Sequence, residues 1–401
     1  MKSGIVWPID STNLKPSPVH LVSLIGKSAD AIDTPALVLD LDALERNLLR
    51  MAEFARDKRI RLRPHAKMHK SAQLAKLQMA HGAVGVCVQK TEEAELLAQA
   101  GVTDIYISNQ VVGPAKLSRV VALCERMTRA GGHLSIAVDS NAGVDNLSKA
   151  LDGTGNPIKV FVELDVGHGR CGVTPGDATL ALVKRVLQCK RMSFAGLQAY
   201  HGRVQHARST AERRQVISSV EQTIRKTIDS LRTHGIDVPL VSGAGTGCFG
   251  YESASGVYGE LQVGSYLFMD ADYARNEADP DFPAFEHALF VKTQIMSLGP
   301  LHAVCDAGHK SHAIDSGMPT LHGRPDLEYK VGGDEHGIIV CRGEQQRLPE
   351  MSEVLWLVPG HCDPTVNLHD HMVGVRGARP GDPAGGLVER IIAVDARGAL
   401  R

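Results

Sequence analysis

The sequence predicts an α/β protein, a (β/α)8 barrel of the TIM type followed by a smaller β-rich C-terminal domain. Three observations carry that prediction. From about residue 35, short β-branched runs alternate with segments of helical periodicity, eight times over. Eight is the number of alternating units that closes a parallel barrel. After about residue 280 the amphipathic helices give way to short strand-like segments separated by Gly, Pro and Asp. A doubly wound open sheet would accommodate the same alternation, but no G-x-G-x-x-G follows the first run, which weakens a dinucleotide-binding reading.

In chain order the runs are PALVLDLDA (35–43), IRLRPHAK (60–67), AVGVCVQ (83–89), DIYIS (104–108), HLSIAVDS (133–140), IKVFVELDV (158–166), MSFAGLQAY (192–200) and PLVSGAG (239–245). Helical segments such as TEEAELLAQAG (91–101) and PGDATLALVKRVLQC (175–189) separate them. The later segments HALFVKTQIMSL, EYKVGG, HGIIVC, EVLWLVPGHCD, HMVGVRG and RIIAVDARG make up the β-rich part, and EADPDFPAF (277–285) is the expected linker. The resulting division is a barrel over 30–278 and a β-rich domain over 284–401, with 1–29 expected to pack on the latter.

Bulk properties narrow the function classes. The chain of 401 residues suits one large domain and a smaller one, and 43 % hydrophobic with 22 % charged residues is ordinary for a soluble globular protein. With 44 basic and 45 acidic residues and no basic run, neither nucleic acid nor anionic membrane is an expected partner. No stretch approaches the roughly 18 apolar residues of a membrane span, and the N-terminus lacks the apolar core of a signal peptide. The eight cysteines are scattered without a C-x-x-C pair. That pattern reads as reduced thiols in a cytoplasmic protein, with no disulfide framework and no zinc knuckle.

In an α/β barrel the chemistry gathers at the C-terminal ends of the strands. The second run ends in RPHAKMHK (63–70). Lys67 stands there where a strand becomes a loop, as a Schiff-base amine or as one member of a solvated basic turn. The sixth run leads into Asp165-Val166-Gly167-His168-Gly169-Arg170. Its glycines admit a ligand close to backbone, and Arg170 reaches an anionic oxygen or is satisfied by Asp165. Gln198 and Tyr200 end the seventh run two residues apart, hence on one face. They are either a ligand-binding pair or a buried hydrogen-bonded one; His206 follows, and read alone it is a surface histidine. After the eighth run, Ser242, Gly243, Ala244, Gly245 and Thr246 present successive backbone N–H groups suited to a phosphate, or else form a plain tight turn. In Pro359-Gly360-His361-Cys362-Asp363, an extended segment would point His361 and Asp363 the same way. A nitrogen and a carboxylate oxygen suit Mn²⁺, Mg²⁺ or Zn²⁺, and the alternative is a hydrogen-bonded loop.

Together the segments RPHAKMHK (63–70), VELDVGHGRCGV (162–173), GLQAYHGRVQH (196–206), SGAGTG (242–247), GELQVGSYLFMDADY (259–273) and PGHCDPTVNLHD (359–370) resemble the D-threonine aldolase and D-serine dehydratase family. This is a branch of the fold-type III pyridoxal 5′-phosphate (PLP) enzymes, to which alanine racemase also belongs. The resemblance covers nearly the whole chain and implies an alanine racemase-like fold and a PLP cofactor. It implies that Lys67 bonds the cofactor and that Arg170 lies near its phenolic oxygen. Gln198 and Tyr200 would contact the ring and its surroundings, and Ser242 to Thr246 would hold the phosphate. Dehydratase relatives carry H-x-C where aldolases carry H-x-D, and this chain carries His361-Cys362-Asp363. The aldolase reading follows, with His361 and Asp363 as ligands of a divalent metal, Mn²⁺ first and Mg²⁺ or Zn²⁺ as alternatives. His206 matches the aldolase general base. The implied substrate is a small D-β-hydroxy amino acid cleaved to glycine and an aldehyde, and the implied assembly is a homodimer. Asp306, Lys310, Glu335 and His336 are family-typical, with no role assigned. The rival readings are a β-eliminating dehydratase on the same scaffold and, further off, a non-catalytic PLP carrier or a racemase.

Overall fold

The computed structural model describes residues 5–8, 15–343, 347–378 and 383–401. Parts of the expected N-terminal and C-terminal segments, at 1–4, 9–14, 344–346 and 379–382, lie outside the described residues. The strands in chain order are β1 Ala36–Asp40, β2 Arg61–Leu62, β3 Val86–Val88, β4 Asp104–Gln110, β5 His133–Val138, β6 Ile158–Glu163, β7 Met192–Ala199, β8 Val241–Gly243, β9 Glu260–Leu261, β10 Leu289–Leu298, β11 Ala303–Cys305, β12 Thr320–Leu321, β13 Leu327–Val331, β14 Gly337–Cys341, β15 Val354–Val358, β16 His371–Arg376 and β17 Leu387–Ala393.

Eight of these form an all-parallel sheet in the order β2-β9-β8-β7-β6-β5-β4-β3. A parallel bridge between His65 and Cys87 joins the two ends and closes the barrel. The expected barrel is therefore present, with one correction. The run at 35–43 does not open it: β1 pairs with β10 and β16 in the second sheet. The eighth barrel strand is instead β9, two residues long, which periodicity cannot detect. The glycine loop after β8 consequently follows the seventh barrel strand, and Lys67 follows the first.

Alternation divides the barrel strands between two environments. Val86, Val88, Ile105, Ile107, Ile136, Val160 and Val162 face outward onto the helices. Cys87, Tyr106, Ala137 and Phe161 pack together inside. The helices begin at identifiable caps: Asp40 accepts the N–H groups of Asp42 and Ala43 at 3.0 Å ahead of the helix Leu41–Asp57, and Ser209 accepts from Glu212 ahead of the helix Thr210–Thr233.

The second sheet runs β13-β14-β11-β10-β1-β16-β17, with β15 pairing both β10 and β12. The described N-terminal residues pack on it. Gly26 N–H donates to Val388 O, the Lys292 ammonium is held by the carbonyls of Ala29, Asp30 and Ile32, and Arg390 lies over the Trp7 ring. The helix Leu41–Asp57 is the seam between sheets, its Leu41, Leu44, Leu48 and Met51 fully buried in a core shared with Leu289, Val291 and Met372.

Arg63 fixes the barrel floor beneath Lys67. Its guanidinium lies 2.6 Å from Asp104 and 3.1 Å from Glu260, and Glu260 is fully buried. Glu260 also meets Arg61 at 3.1 Å. Removing one partner of a buried pair strands the other charge. Arg63→Ala should therefore destabilise the protein by about 3 kcal/mol in urea unfolding; a loss below about 1 kcal/mol would mean that Arg61 alone neutralises Glu260.

Candidate active site

The C-terminal ends of the barrel strands and one loop of the second sheet enclose a cavity of about 210 Å³. Lys67, Arg170, Gln198, Tyr200, His206, Ala244, Gly245, Thr246, His361 and Asp363 all line it. Ser242 and Gly243 lie in β8 beneath, Ser242 donating to Glu260 at 2.8 Å and accepting from Gln262. Residues scattered over three hundred positions thus converge on one chamber. Asp306, Lys310, Glu335 and His336 are not among its lining residues. Asp306 accepts hydrogen bonds from Thr34 and Thr293, and Lys310 pairs with Glu335 at the surface.

The centre of the site is an ion pair. Lys67 Nζ lies 2.7 Å from Asp363 Oδ2. The Asp363 charge raises the Lys67 pKa despite burial. Burial works against the Asp363 carboxylate too, but the charges of Lys67 and His361 hold its pKa at about 2. His65, buried beside the ammonium, is driven well below the ordinary imidazole range by desolvation and by Lys67, and so is neutral. Its Nε2 meets Gln89 at 2.8 Å and Ser108 at 3.3 Å.

The floor is polar and occupied. Tyr106 donates to Gln198 Oε1 at 2.6 Å while Gln198 donates to the Ser108 carbonyl. Arg170 lies over the Tyr200 ring at 5.6 Å. The loop after β8 is confined: a Cβ on Gly243 would lie 2.1 Å from Ala199 O, and one on Gly245 2.5 Å from the Gln205 side chain. Ala244 takes φ +75, which turns the chain back over the cavity. An amine at one end, a glycine-lined loop at the other and an aromatic ring with an arginine between them fit PLP.

At the other end, the segment after Gly360 is not extended as expected. His361 caps a short helix, Cys362–Val366, so Asp363 lies in its first turn and Cys362 is turned into the core. Asp270 accepts the Cys362 N–H at 3.1 Å and fixes that turn. His361 and Asp363 still face the cavity together, with Nε2 3.8 Å from Oδ1. Asp363 Oδ1 is buried without a hydrogen-bond partner. An orphaned carboxylate oxygen beside an imidazole nitrogen fits a cation. No group of three or more His, Cys, Asp or Glu side chains among the described residues is placed to hold a metal.

Three carboxylates of the site went unnoticed in the sequence. Asp272 accepts from His206 Nδ1 and is itself gripped by Arg208 and Arg275. Asp315 Oδ2 lies 2.7 Å from His361 Nδ1. Glu252, fully buried, accepts the Gly245 N–H at 3.2 Å from behind the loop. Asp272 and Asp315 are distant in sequence from the histidines they meet, Glu252 lies seven residues past Gly245, and neither Asp315 nor Glu252 carries a motif. A carboxylate preceding Tyr273 in the DADY segment was the one available signal.

Two family models match the chain: alanine racemase, N-terminal domain, over residues 39–272, and putative serine dehydratase domain over residues 288–375. The chain is 41 % identical over 382 residues to a 3-hydroxy-D-aspartate aldolase of Paracoccus denitrificans (strain Pd 1222), covering 94 % of this chain and 95 % of that one. It is 44 % identical over 371 residues to a D-threonine aldolase of an Arthrobacter species, covering 92 % and 94 %. The chain belongs to the D-threonine aldolase and D-serine dehydratase family. A solved D-threonine aldolase from Filomicrobium marinum superposes with a TM-score of 0.88 at 46 % identity, covering 94 % of this chain and 98 % of that one. The protein is accordingly a PLP-dependent carbon–carbon lyase with an alanine racemase-like fold. No helix among the described residues is long and apolar enough to cross a membrane.

Glu252 gives the site a pH signature. Burial pushes its pKa up to about 8, the Gly245 N–H only partly opposing it. An unfolded glutamate titrates near about 4.3. Between those values the folded protein holds a proton that the unfolded chain has released, so this group makes stability fall as pH rises. Glu252→Gln should flatten that fall. The wild-type minus variant difference in urea midpoint should become more negative from pH 5 to pH 8, and an unchanged difference would place an ionised Glu252 in the folded protein.

Proposed function

We propose that this enzyme carries out retro-aldol cleavage of D-threonine and other D-β-hydroxy amino acids to glycine and an aldehyde, using PLP on Lys67 and a divalent metal on His361 and Asp363. The observation that carries this reading is the convergence of Lys67, His206, His361 and Asp363 on one cavity. The relatives named above as D-threonine and 3-hydroxy-D-aspartate aldolases support the substrate class.

Each residue has a part. Lys67 would hold the cofactor through its ε-amine. PLP, when bound, would supply an electron sink for the bond-breaking step. Arg170, Gln198 and Tyr200 would contact its ring, and Ser242, Gly243, Ala244, Gly245 and Thr246 would hold its phosphate. A metal on His361 and Asp363, Mn²⁺ in the first instance and Mg²⁺ or Zn²⁺ otherwise, would acidify the β-hydroxyl. His206 takes the hydroxyl proton at Nε2, since Nδ1 is engaged by Asp272. Loss of that proton turns the β C–O bond into the carbonyl of the departing aldehyde as the Cα–Cβ bond breaks, and a proton delivered to Cα completes glycine.

The same reading includes a cofactor-binding unit over 30–278 and a metal-bearing unit of 1–29 with 284–401, β1 being the strand of the first that completes the sheet of the second. It also includes a cytoplasmic homodimer; the eight free cysteines support a reducing compartment. A second reading, dehydration of D-serine or D-3-hydroxyaspartate to a 2-oxo acid and ammonia, is favoured by the dehydratase-domain match over 288–375.

Products decide between them. Incubation with D-threonine, PLP and Mn²⁺ should yield glycine and acetaldehyde in equal amounts; 2-oxobutanoate and ammonia would establish the dehydratase. Lys67→Ala should abolish the cofactor's visible absorbance band, and a retained band would remove Lys67 from its role. His206→Ala should keep that band while lowering kcat by roughly 10²–10⁴, so an unimpaired kcat would eliminate it as the base.

A further inference from the structure

Two of the three histidines that line the cavity, His206 and His361, are tethered alike, each through Nδ1 to a carboxylate on another segment. For His361 the consequence is specific. A neutral imidazole carries its proton on either nitrogen, and only the unprotonated one ligates a metal. A carboxylate against Nδ1 draws the proton of a neutral ring to that nitrogen, which frees Nε2 to ligate, and fixes the ring's rotation as well.

We propose that Asp315 is a positioning residue for the metal centre: it accepts the Nδ1 proton of His361 and so presents Nε2 to the cation beside Asp363. This rests on the metal reading above. The distances carry it. Asp315 Oδ2 lies 2.7 Å from Nδ1, whereas Nε2 faces Asp363 Oδ1 at 3.8 Å across the cavity. Ser316 Oγ, also near Nδ1 at 3.3 Å, lies 3.2 Å from Asp315 Oδ2, placing its hydroxyl to donate to that carboxylate.

The segment bearing Asp315 is held from several sides. Arg275 donates to the Ser316 carbonyl at 2.9 Å, and its other contact is Asp272, the partner of His206. Ala313 N–H donates to Thr365 Oγ1, and Thr365 Oγ1 donates to the His361 carbonyl. The Gly317 carbonyl lies where a Cβ on Gly360 would stand, 2.0 Å away. Asp315 is thus registered against the residue preceding His361. It is also half-exposed at its own side chain, 53 %, so substitution leaves the core intact.

The test is Mn²⁺ binding to the PLP-loaded enzyme, read as free Mn²⁺ by electron paramagnetic resonance, with the cofactor absorbance band as a check on the fold. Asp315→Ala should weaken Mn²⁺ binding about tenfold to hundredfold. Asp315→Ser, too short to reach Nδ1, should do the same. Asp315→Asn, which keeps an acceptor oxygen in place, should bind within about threefold of wild type, about 0.7 kcal/mol. Asp363→Ala is the reference and should lose binding. If Asp363→Ala binds like wild type, the metal reading fails and this proposal with it. If Asp363→Ala loses the ion while Asp315→Ala and Asp315→Ser bind like wild type, the metal reading stands and Asp315 has no positioning role. An Asn variant as weak as Ala would mean that Asp315 acts through net charge, which also overturns it.

Discussion

Everything in this active site is arranged around a cation and an anion 2.7 Å apart, the half-exposed Lys67 on the barrel and the largely buried Asp363 on the second sheet's loop. Burial raises the energy of both charges, and each is stabilised chiefly by the other. Such a pair is poor value as a source of stability, because apolar side chains of the same volume would do as well or better. Its retention is explained by chemistry. The barrel supplies the amine of Lys67, the second sheet's loop supplies the carboxylate of Asp363, and the cavity lies between them. Neither domain holds a complete site.

That division explains the connectivity. β1 leaves the barrel's neighbourhood and inserts between β10 and β16, so the helix Leu41–Asp57 passes directly from the second sheet to the first barrel strand. Asn47 on that helix bonds the carbonyls of Leu267 and Glu286, and Arg46 and Arg50 pair with Glu286. The expected linker at 277–285 is therefore clamped at its end. Aromatic packing of Phe282 and Phe285 against Phe249 and Tyr266 adds to the clamp. A rigid junction is what a cavity shared by two domains requires.

Much of this was legible in the sequence because the groups that line the cavity sit in contiguous segments. RPHAKMHK and SGAGTG each put three lining residues within eight positions, so residue type and strand-end position agreed. The strands were legible from β-branched runs, but a run reports that a strand exists and not which sheet it joins; hence β1 was misplaced. β9 was invisible because two residues have no period, and its Glu260 reads as a surface charge until Arg63 is seen against it. The carboxylates Asp272, Asp315 and Glu252 were illegible for a different reason. Asp272 and Asp315 meet histidines 66 and 46 positions away, Glu252 sits in the short helix Phe249–Ala254 behind its partner Gly245, and a lone acidic residue has no pattern to announce its partner.

The two tethered histidines show how one device serves two ends. Both place Nδ1 against a carboxylate, and both line the cavity. Their second neighbours differ. Asp272 is buried and shared with the guanidinium groups of Arg208 and Arg275, which fix the carboxylate that orients the His206 ring. Asp315 faces solvent on one side, and across the ring Nε2 looks at the orphaned oxygen of Asp363. Arg275 touches both arrangements, Asp272 by its carboxylate and Ser316 by its carbonyl. One guanidinium thereby joins the segment bearing Asp315 to the carboxylate that meets His206.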